Sequence, residues 1–290
     1  MCSGILVLAA SMSGRTILVT GAAGYIGRHV TSALLDMGDT VTAITRPGSR
    51  SEVDPRAKVV AVDILGTDFA PEELADTAPD AIIHLAWQDG FNHNAPSHID
   101  NLSSHYRFIS SMVEWGVPKI AVLGTMHEIG YWEGVINADT PTNPTSLYGI
   151  AKDALRRALF ASYSDKVSLQ WLRCYYILGD DRNNRSVFAR LLEAADEGRT
   201  HFPFTSGTNL YDFIHVNELG RQIATINANE LAGVINCCTG RPVSLGEKME
   251  EFIMVNDLDV TLDYGAFPDR PYDSPGVWGD ATLINRLMSR

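Results

Sequence analysis

The chain has 290 residues, enough to bury a substantial core as one large domain or two closely joined lobes. Its formal net charge of −12 argues against nucleic acid as a partner, while leaving room for a small anionic substrate, which local arginines would decide. The four cysteines, Cys2, Cys174, Cys237 and Cys238, suggest no disulfide framework, and a reducing cytoplasm fits.

The first ten residues hold a short apolar run, Ile5 to Ala10, with no basic flank. It is far too short to span a bilayer, so neither a membrane anchor nor a secretory signal is expected. The organised fold is expected to begin at Thr16. Met12 is an alternative start, and otherwise the leader forms an ordered edge segment.

Thr16 to Thr20 reads Thr-Ile-Leu-Val-Thr, an apolar, β-branched run of buried-strand length. Gly21-Ala22-Ala23-Gly24-Tyr25-Ile26-Gly27 follows at once, and a helix is predicted from about Tyr25 to Met37, closed by Gly38. A glycine pattern alone is a weak signal. Between a strand and a helix it predicts a dinucleotide pyrophosphate site. Gly21 would permit the tight turn, Gly24 the approach of phosphate, and Gly27 the close packing of helix on strand. Backbone N–H groups at the helix start, around Tyr25 and Ile26, would face the anion.

The second strand, Thr40 to Thr45, ends without the carboxylate that usually accepts the ribose 2′-OH of NAD. Arg46, Ser49 and Arg50 follow instead. Two guanidiniums could pair with a 2′-phosphate, which favours NADP(H) over NAD(H). Both arginines are otherwise ordinary solvated loop charges.

Ile120 to Gly124 is a further buried-strand run, with Thr125 just past its carboxyl end, where ligands of doubly wound sheets lie. The Thr125 hydroxyl is a candidate partner for a reacting oxygen, or else a cap for a turn. Pro144-Thr145-Ser146 precedes a helical stretch to about Tyr163. Tyr148 and Lys152, four apart, share a face of that helix. An ammonium beside a phenol favours the phenolate and would bring Tyr148 toward the neutral range. Thr125, Tyr148 and Lys152 are thus a candidate catalytic set for hydride exchange between a nicotinamide and a carbonyl or alcohol carbon.

Apolar strand-like runs alternate with helical stretches along the first two thirds of the chain. That is the pattern of an α/β fold, a Rossmann-type doubly wound parallel sheet. After Ile177 the pattern is less regular. Residues 1–176 and 210–237 are assigned to the dinucleotide-binding domain, and residues 177–209 and 238–290 to a small C-terminal substrate-binding lobe. No HExxH arrangement or Cys–His ligand spacing occurs, so no metal site is indicated.

The chain resembles the extended short-chain dehydrogenases/reductases of the nucleotide-sugar epimerase/dehydratase group over nearly its whole length. The resemblance rests on the glycine turn, Val62-Asp63-Ile64, His84-Leu85-Ala86, Thr125, Tyr148 and Lys152. It continues through Leu172-Arg173-Cys174-Tyr175-Tyr176 and Tyr211-Asp212-Phe213-Ile214-His215-Val216. It implies that Asp63 bonds the adenine amine, that Ile64 lines the adenine pocket, and that Leu85 and Ala86 lie along the cofactor. It also implies that Tyr148 is the acid/base, that Lys152 binds the nicotinamide ribose, and that Thr125 holds the substrate oxygen. Helices over 97–115 and 146–163 would pack side by side and form a four-helix bundle in a homodimer.

Several departures narrow the reaction. The 4,6-dehydratases of this group carry Asp-Glu after the threonine, where this chain has Met126 and His127. Glu128 is offset by one residue and is expected to point elsewhere. Sugar-acid decarboxylases want Glu at the place of His127. Two readings remain within catalysis: NADP(H)-dependent reduction of the 4-keto group of a nucleotide-activated 4-keto-6-deoxy sugar, which the missing acid at Thr45 favours, and NAD-dependent 4-epimerisation. A third is a non-catalytic dinucleotide-binding sensor. Tyr176 and Tyr211 stand where relatives often place Asn and Arg near the diphosphate, so that site is expected to be rearranged, and a substrate without a nucleotide stays possible. Arg270 matches a family arginine that pairs with the diphosphate; Arg182 and Arg185 are further candidates, or ordinary loop charges. His127 is taken as substrate-contacting. Trp87, His93 and His98 also fall in or near loops after strands, where a sugar would sit, and the two histidines among them are read as ordinary loop residues.

Overall fold

The computed structural model describes residues 14–49, 52–179, 181–269 and 274–289. In chain order the elements are β1 (Thr16–Thr20), α1 (Gly27–Asp36), β2 (Thr40–Thr45), β3 (Lys58–Ala61), β4 (Ala81–His84), α2 (Ser97–Asp100) and α3 (Leu102–Trp115). Then come β5 (Lys119–Thr125), β6 (Gly134–Ile136), α4 (Leu147–Tyr163), β7 (Ser168–Cys174), β8 (Tyr176–Leu178), α5 (Val187–Asp196) and β9 (His201–Pro203). The chain ends with β10 (Leu210–His215), α6 (Val216–Ala228), β11 (Gly233–Cys237), β12 (Pro242–Ser244), α7 (Leu245–Val255), β13 (Thr261–Asp263), β14 (Gly276–Gly279) and α8 (Thr282–Met288).

Seven strands form one sheet in the order β11-β7-β5-β4-β1-β2-β3, every pair parallel. The alternation of strand side chains splits the core in two. Ile17, Val19, Ala81, Ile83, Ala121 and Leu123 face one layer, where α1 and α6 supply Val30, Leu34, Leu219 and Ile223. Leu18, Ile82, Ile120, Val122 and Trp171 face the other, where α3 and α4 supply Phe108, Ile109, Met112, Leu155 and Leu159. This is the doubly wound, Rossmann-type arrangement. Each fully buried aliphatic side chain contributes about 1.5–3 kcal/mol of transfer free energy. The strand order reverses at β1, which pairs with β2 on one side and β4 on the other. The crevice at the carboxyl ends of those strands is the place where such sheets bind ligands.

A second sheet runs β12-β10-β14-β6, with β8 also paired to β10, and β9 pairs with β13. The sequence reading returned the chain to the main sheet from Leu210. Here β10 belongs to the second sheet, and the return begins only with α6 and β11. The motif Tyr211–Val216 is apolar enough to read as a main-sheet strand, but it is the hub of the smaller sheet. The Asp212 carboxylate, fully buried, fixes it there. It accepts hydrogen bonds from Thr239 N at 2.9 Å, Thr239 Oγ1 at 2.6 Å, Gly240 N at 2.8 Å and Gly279 N at 3.1 Å.

Candidate active site

The glycine turn leaves β1 directly. Gly21 has φ +67°, and a Cβ there would lie 2.8 Å from Ala86 N. A Cβ on Gly27 would sit 2.0 Å from Gly21 O, so no side chain fits where α1 starts against the turn. Helix α1 begins at Gly27, two residues later than expected, because residues 21–26 form the turn. Ile26 occupies its N-cap and gives no side-chain cap, whereas Ser146, Ser186 and Ser244 cap α4, α5 and α7. A helix start left uncapped beside a turn open to close approach suits a phosphate. The residues present therefore fit a dinucleotide.

Several of the other expected cofactor contacts follow the carboxyl ends of β2, β3 and β4. Leu85 and Ala86 follow β4 and donate their N–H groups to Thr20 Oγ1, both at 3.2 Å. Ile64 is buried after β3, and the exposed Asp63 caps its own turn through Leu65 N at 3.1 Å. Tyr25 donates its hydroxyl to Gly179 O at 2.8 Å, tying the turn to the segment after β8. Arg46 is exposed just past β2. Arg50 and Arg270 lie outside the described residues.

Thr125 ends β5, aligned with Cys174 on β7. Its hydroxyl accepts from His127 N at 3.2 Å, capping a 3-10 turn, and lies near enough to the Tyr148 phenol to favour its ionised form. The turn-cap role raised for this threonine is thus met. Tyr148 lies in the first turn of α4, which starts at Leu147 behind the Ser146 cap, and its N–H donates to His93 O at 2.9 Å. Lys152, one turn on, is buried and donates Nζ–H to Leu123 O at 2.7 Å. The ammonium stands 6.0 Å from the centroid of the Tyr148 ring.

The electrostatics correct one expectation. Burial raises the Tyr148 phenol above its ordinary value, the Thr125 hydroxyl beside it opposes this, and Lys152 does not dominate. Burial instead acts on the lysine, bringing Lys152 down to about 7 against the opposing pull of Glu128 and Cys174. The phenol is therefore held protonated, ready to give a proton.

His127 stands on the 3-10 turn, its ring 4.3 Å from His93 and 6.1 Å from Tyr148. Burial, with His93 beside it, lowers it to about 3, so it works as a neutral hydrogen-bonding group. The His93 ring stacks on Tyr148 at 5.2 Å and 18°. Tyr176 lies 6.3 Å from His127 and 4.2 Å from Tyr211, so aromatic rings run from the phenol into the second sheet. Glu128 points away into the core. It pairs with Arg173 at 2.8 Å and Arg156 at 3.4 Å, and accepts from Trp171 Nε1 at 3.0 Å. Arg182 is exposed and paired with Asp196 at 2.5 Å.

Sequence reasoning passed over His105 and undervalued Trp87, His93 and His98, all of which the structure gathers around Tyr148 and Lys152. One signal was present. His105 lies in register with Phe108, Ile109 and Met112 on the buried stripe of α3, an unusual place for an imidazole. Among the described residues no group of three or more His, Cys, Asp and Glu could hold a metal ion, and no helix is long and apolar enough to cross a membrane.

Residues 17–238 match the NAD dependent epimerase/dehydratase family. The chain belongs to that family. It is an NAD(P)-dependent enzyme of the oxidoreductase type. It is 45% identical over 270 residues to a dTDP-6-deoxy-L-talose 4-dehydrogenase (NAD(+)) of Aggregatibacter actinomycetemcomitans, covering 91% of this chain and 98% of that one. It is 27% identical to a UDP-glucose 4-epimerase of Azospirillum brasilense, covering 94% of this chain and 86% of that one. The solved structure of MoeE5 in complex with UDP-glucuronic acid and NAD superposes with a TM-score of 0.77 at 25% identity, covering 94% and 92% of the two chains. A UDP-glucose-4-epimerase from Stenotrophomonas maltophila shares the fold, with a TM-score of 0.82 at 18% identity over 95% and 92% of the two chains.

Proposed function

We propose that this enzyme reduces the 4-keto group of a nucleotide-linked 4-keto-6-deoxy sugar, with NADH as the working reductant. The observation that carries the reading is the Tyr148 phenol, buried beside Thr125 and one helical turn from Lys152, at the carboxyl end of β5. The 45% identical relative, named for a dTDP-6-deoxy sugar, its position 4 and NAD(+), supports the substrate class and the cofactor. It turns the choice away from the NADP(H) preference drawn from Arg46 and Arg50.

In this reading Gly21, Gly24, Tyr25, Ile26 and Gly27 hold the pyrophosphate, Asp63 and Ile64 the adenine, and Leu85 and Ala86 the remainder of the dinucleotide. The bound nicotinamide supplies hydride to the ketone carbon. Thr125 orients the ketone oxygen, and Tyr148 gives it a proton. Lys152 binds the nicotinamide ribose and, as a cation, favours loss of that proton. Its ammonium is lost as pH rises through about 7, so turnover should decline on the alkaline side. His127 and Tyr176 line the sugar, and Arg270 meets the diphosphate. A homodimer through α3 and α4 is part of the proposal, supported by an apolar outer groove of Ile99, Leu102, Tyr106, Ala154, Leu155 and Ala158.

The test is oxidation of NADH and NADPH with dTDP-, GDP- and CDP-linked 4-keto-6-deoxy sugars. Stoichiometric NADH consumption with one of them supports the reading. Tightly held NAD with no net consumption would replace it by 4-epimerisation, and cofactor binding without turnover by the sensor reading.

A further inference from the structure

Trp87 follows His84-Leu85-Ala86 at the end of β4, and its indole is held on several sides. Nε1–H donates to His98 Nδ1 at 3.0 Å. One side of the ring system stacks on His105 at 4.3 Å and 14°. The Lys152 ammonium lies 3.7 Å from the ring centroid. That ammonium is almost sealed from water and donates to the carbonyl oxygen of Leu123. An aromatic face is the apolar group best suited to a cation in such a place, through its quadrupole.

The clamp on the indole has a defined polarity. Thr20 Oγ1 accepts from both Leu85 N and Ala86 N, so its own proton is directed to His84 Nδ1, 2.8 Å away. His84 then carries its proton on Nε2 and donates it to His105 Nδ1 at 2.9 Å. Burial keeps both rings neutral: His84 lies well below its ordinary value, and His105 falls to about 3, with the Lys152 charge adding to the effect. His98 is fixed likewise. Its Nδ1 accepts from the indole, which leaves Nε2–H to donate to Asn92 O at 2.8 Å. Thus the residue before the glycine turn, two buried imidazoles and the indole form one connected support that ends on Lys152.

We propose that Trp87 is a positioning residue for Lys152: its indole, held by His98 and by the Thr20–His84–His105 chain, keeps the side chain of Lys152 in place beside Tyr148 as a cation. This rests on the proposed catalytic role of Lys152. The groups facing that ammonium are Glu128 after β5, Cys174 at the end of β7, His84 from β4, His105 from α3 and Tyr148 on its own helix. Glu128 and Cys174 favour the charged form, burial opposes it, and the two histidines are neutral. The indole face adds to the favourable side.

The experiment follows the 13Cε resonance of Lys152 against pH in full-length protein carrying labelled lysine, assigned with Lys152→Arg. Wild type is compared with Trp87→Leu, Trp87→Phe and His105→Leu, and the pH profiles of kcat and KM are recorded in parallel. Trp87→Leu should move the Lys152 midpoint down by about one pH unit, the size of a desolvated cation–π contact. The alkaline limb of kcat should move with it, and KM for the sugar should stay near wild type. Trp87→Phe should fall between the two, and His105→Leu should reproduce part of the shift. An unchanged Lys152 midpoint in Trp87→Phe and Trp87→Leu overturns the proposal, as does a loss of kcat with an unmoved pH profile, which would mean packing alone. Should Trp87→Leu not fold, Trp87→Phe decides by the same midpoint. The resonance is read without turnover, so a wild type inactive on every nucleotide sugar would defeat the functional reading while the titration still decides this one.

Discussion

Strands β1, β4, β5 and β7 bury all but two of their residues and pair only in parallel, whereas the strands around β10 are three to six residues long and mix directions. The first sheet gains its rigidity from continuous apolar layers on both faces. The second has too little strand length for that and depends on point contacts: the four hydrogen bonds on Asp212 and the rings of Tyr176, Tyr211 and Phe213. The division matches the proposed labour. Groups that must hold a fixed geometry, Thr125, Tyr148, Lys152 and the glycine turn, stand at the ends of the first sheet. Of the two side chains proposed to line the sugar, Tyr176, packed on Tyr211, stands on the second, while His127 follows β5 of the first. A reaction shared by many sugars needs a constant first part and a second that can be altered.

The sharpest test of that division removes the proton donor. Tyr148→Phe deletes one hydroxyl at the edge of the site and should lower kcat by about 10²–10⁴-fold. Because the ring stays against His93 and Trp87, melting and cofactor affinity should be close to wild type. Full activity in this variant, measured by NADH oxidation, would remove Tyr148 from the chemistry.

The second sheet should fail in the opposite manner, through stability. Asp212→Ala leaves Thr239 N, Gly240 N and Gly279 N without their acceptor in a buried place. The expected cost is about 3–5 kcal/mol. Tm should fall by roughly 10 °C, and Asp212→Asn, which keeps one acceptor, should fall less. A Tm for Asp212→Ala within the error of wild type would show that the small sheet does not rely on this carboxylate.

The same contrast explains what could be read in advance. Residues 16–20 and 120–124 are unbroken apolar runs, and such runs fit only strands buried on both faces, so the parallel sheet was legible. The glycine turn carried its own context, and Ser146 marked the start of α4. Leu210–His215 was also apolar, but a short strand's sequence does not say which sheet it joins; that is decided by Asp212 meeting a loop 27 and 28 residues later and a strand 67 residues later. The protonation state of Tyr148 was misjudged for a related reason. Helical spacing puts Lys152 on the same face, but burial, which determines both titrations, comes from distant elements. The support on Trp87 needs four segments, β1, β4, α2 and α3, to converge, and only one mark of it, an imidazole on an apolar helical stripe, was local.

A smaller effect should follow from changing the sugar side alone. Tyr176→Asn removes a ring that packs at a tilt 4.2 Å from Tyr211. It should raise KM for the sugar about two- to tenfold, the weight of one aromatic contact, and leave KM for NADH unchanged. If both constants moved together, Tyr176 would be supporting the whole crevice rather than the sugar subsite, and the division between the two sheets would be less clean than proposed.

The smallest expected effect lies on the first sheet, at the cofactor's far end. Arg46 is exposed past β2, and its charge is the sort that a 2′-phosphate would meet in solvent, where ion pairs contribute about 0.2–1 kcal/mol. Arg46→Ala should therefore weaken NADPH by about two- to fivefold in kcat/KM and hardly touch NADH. The preference of wild type for NADH should widen as a result. That shift would mean that Arg46 allows the phosphorylated cofactor without selecting it. A loss shared by both cofactors would instead place Arg46 on a part of the dinucleotide common to the two, since a side chain acting on the 2′ position alone has nothing to bind in NADH.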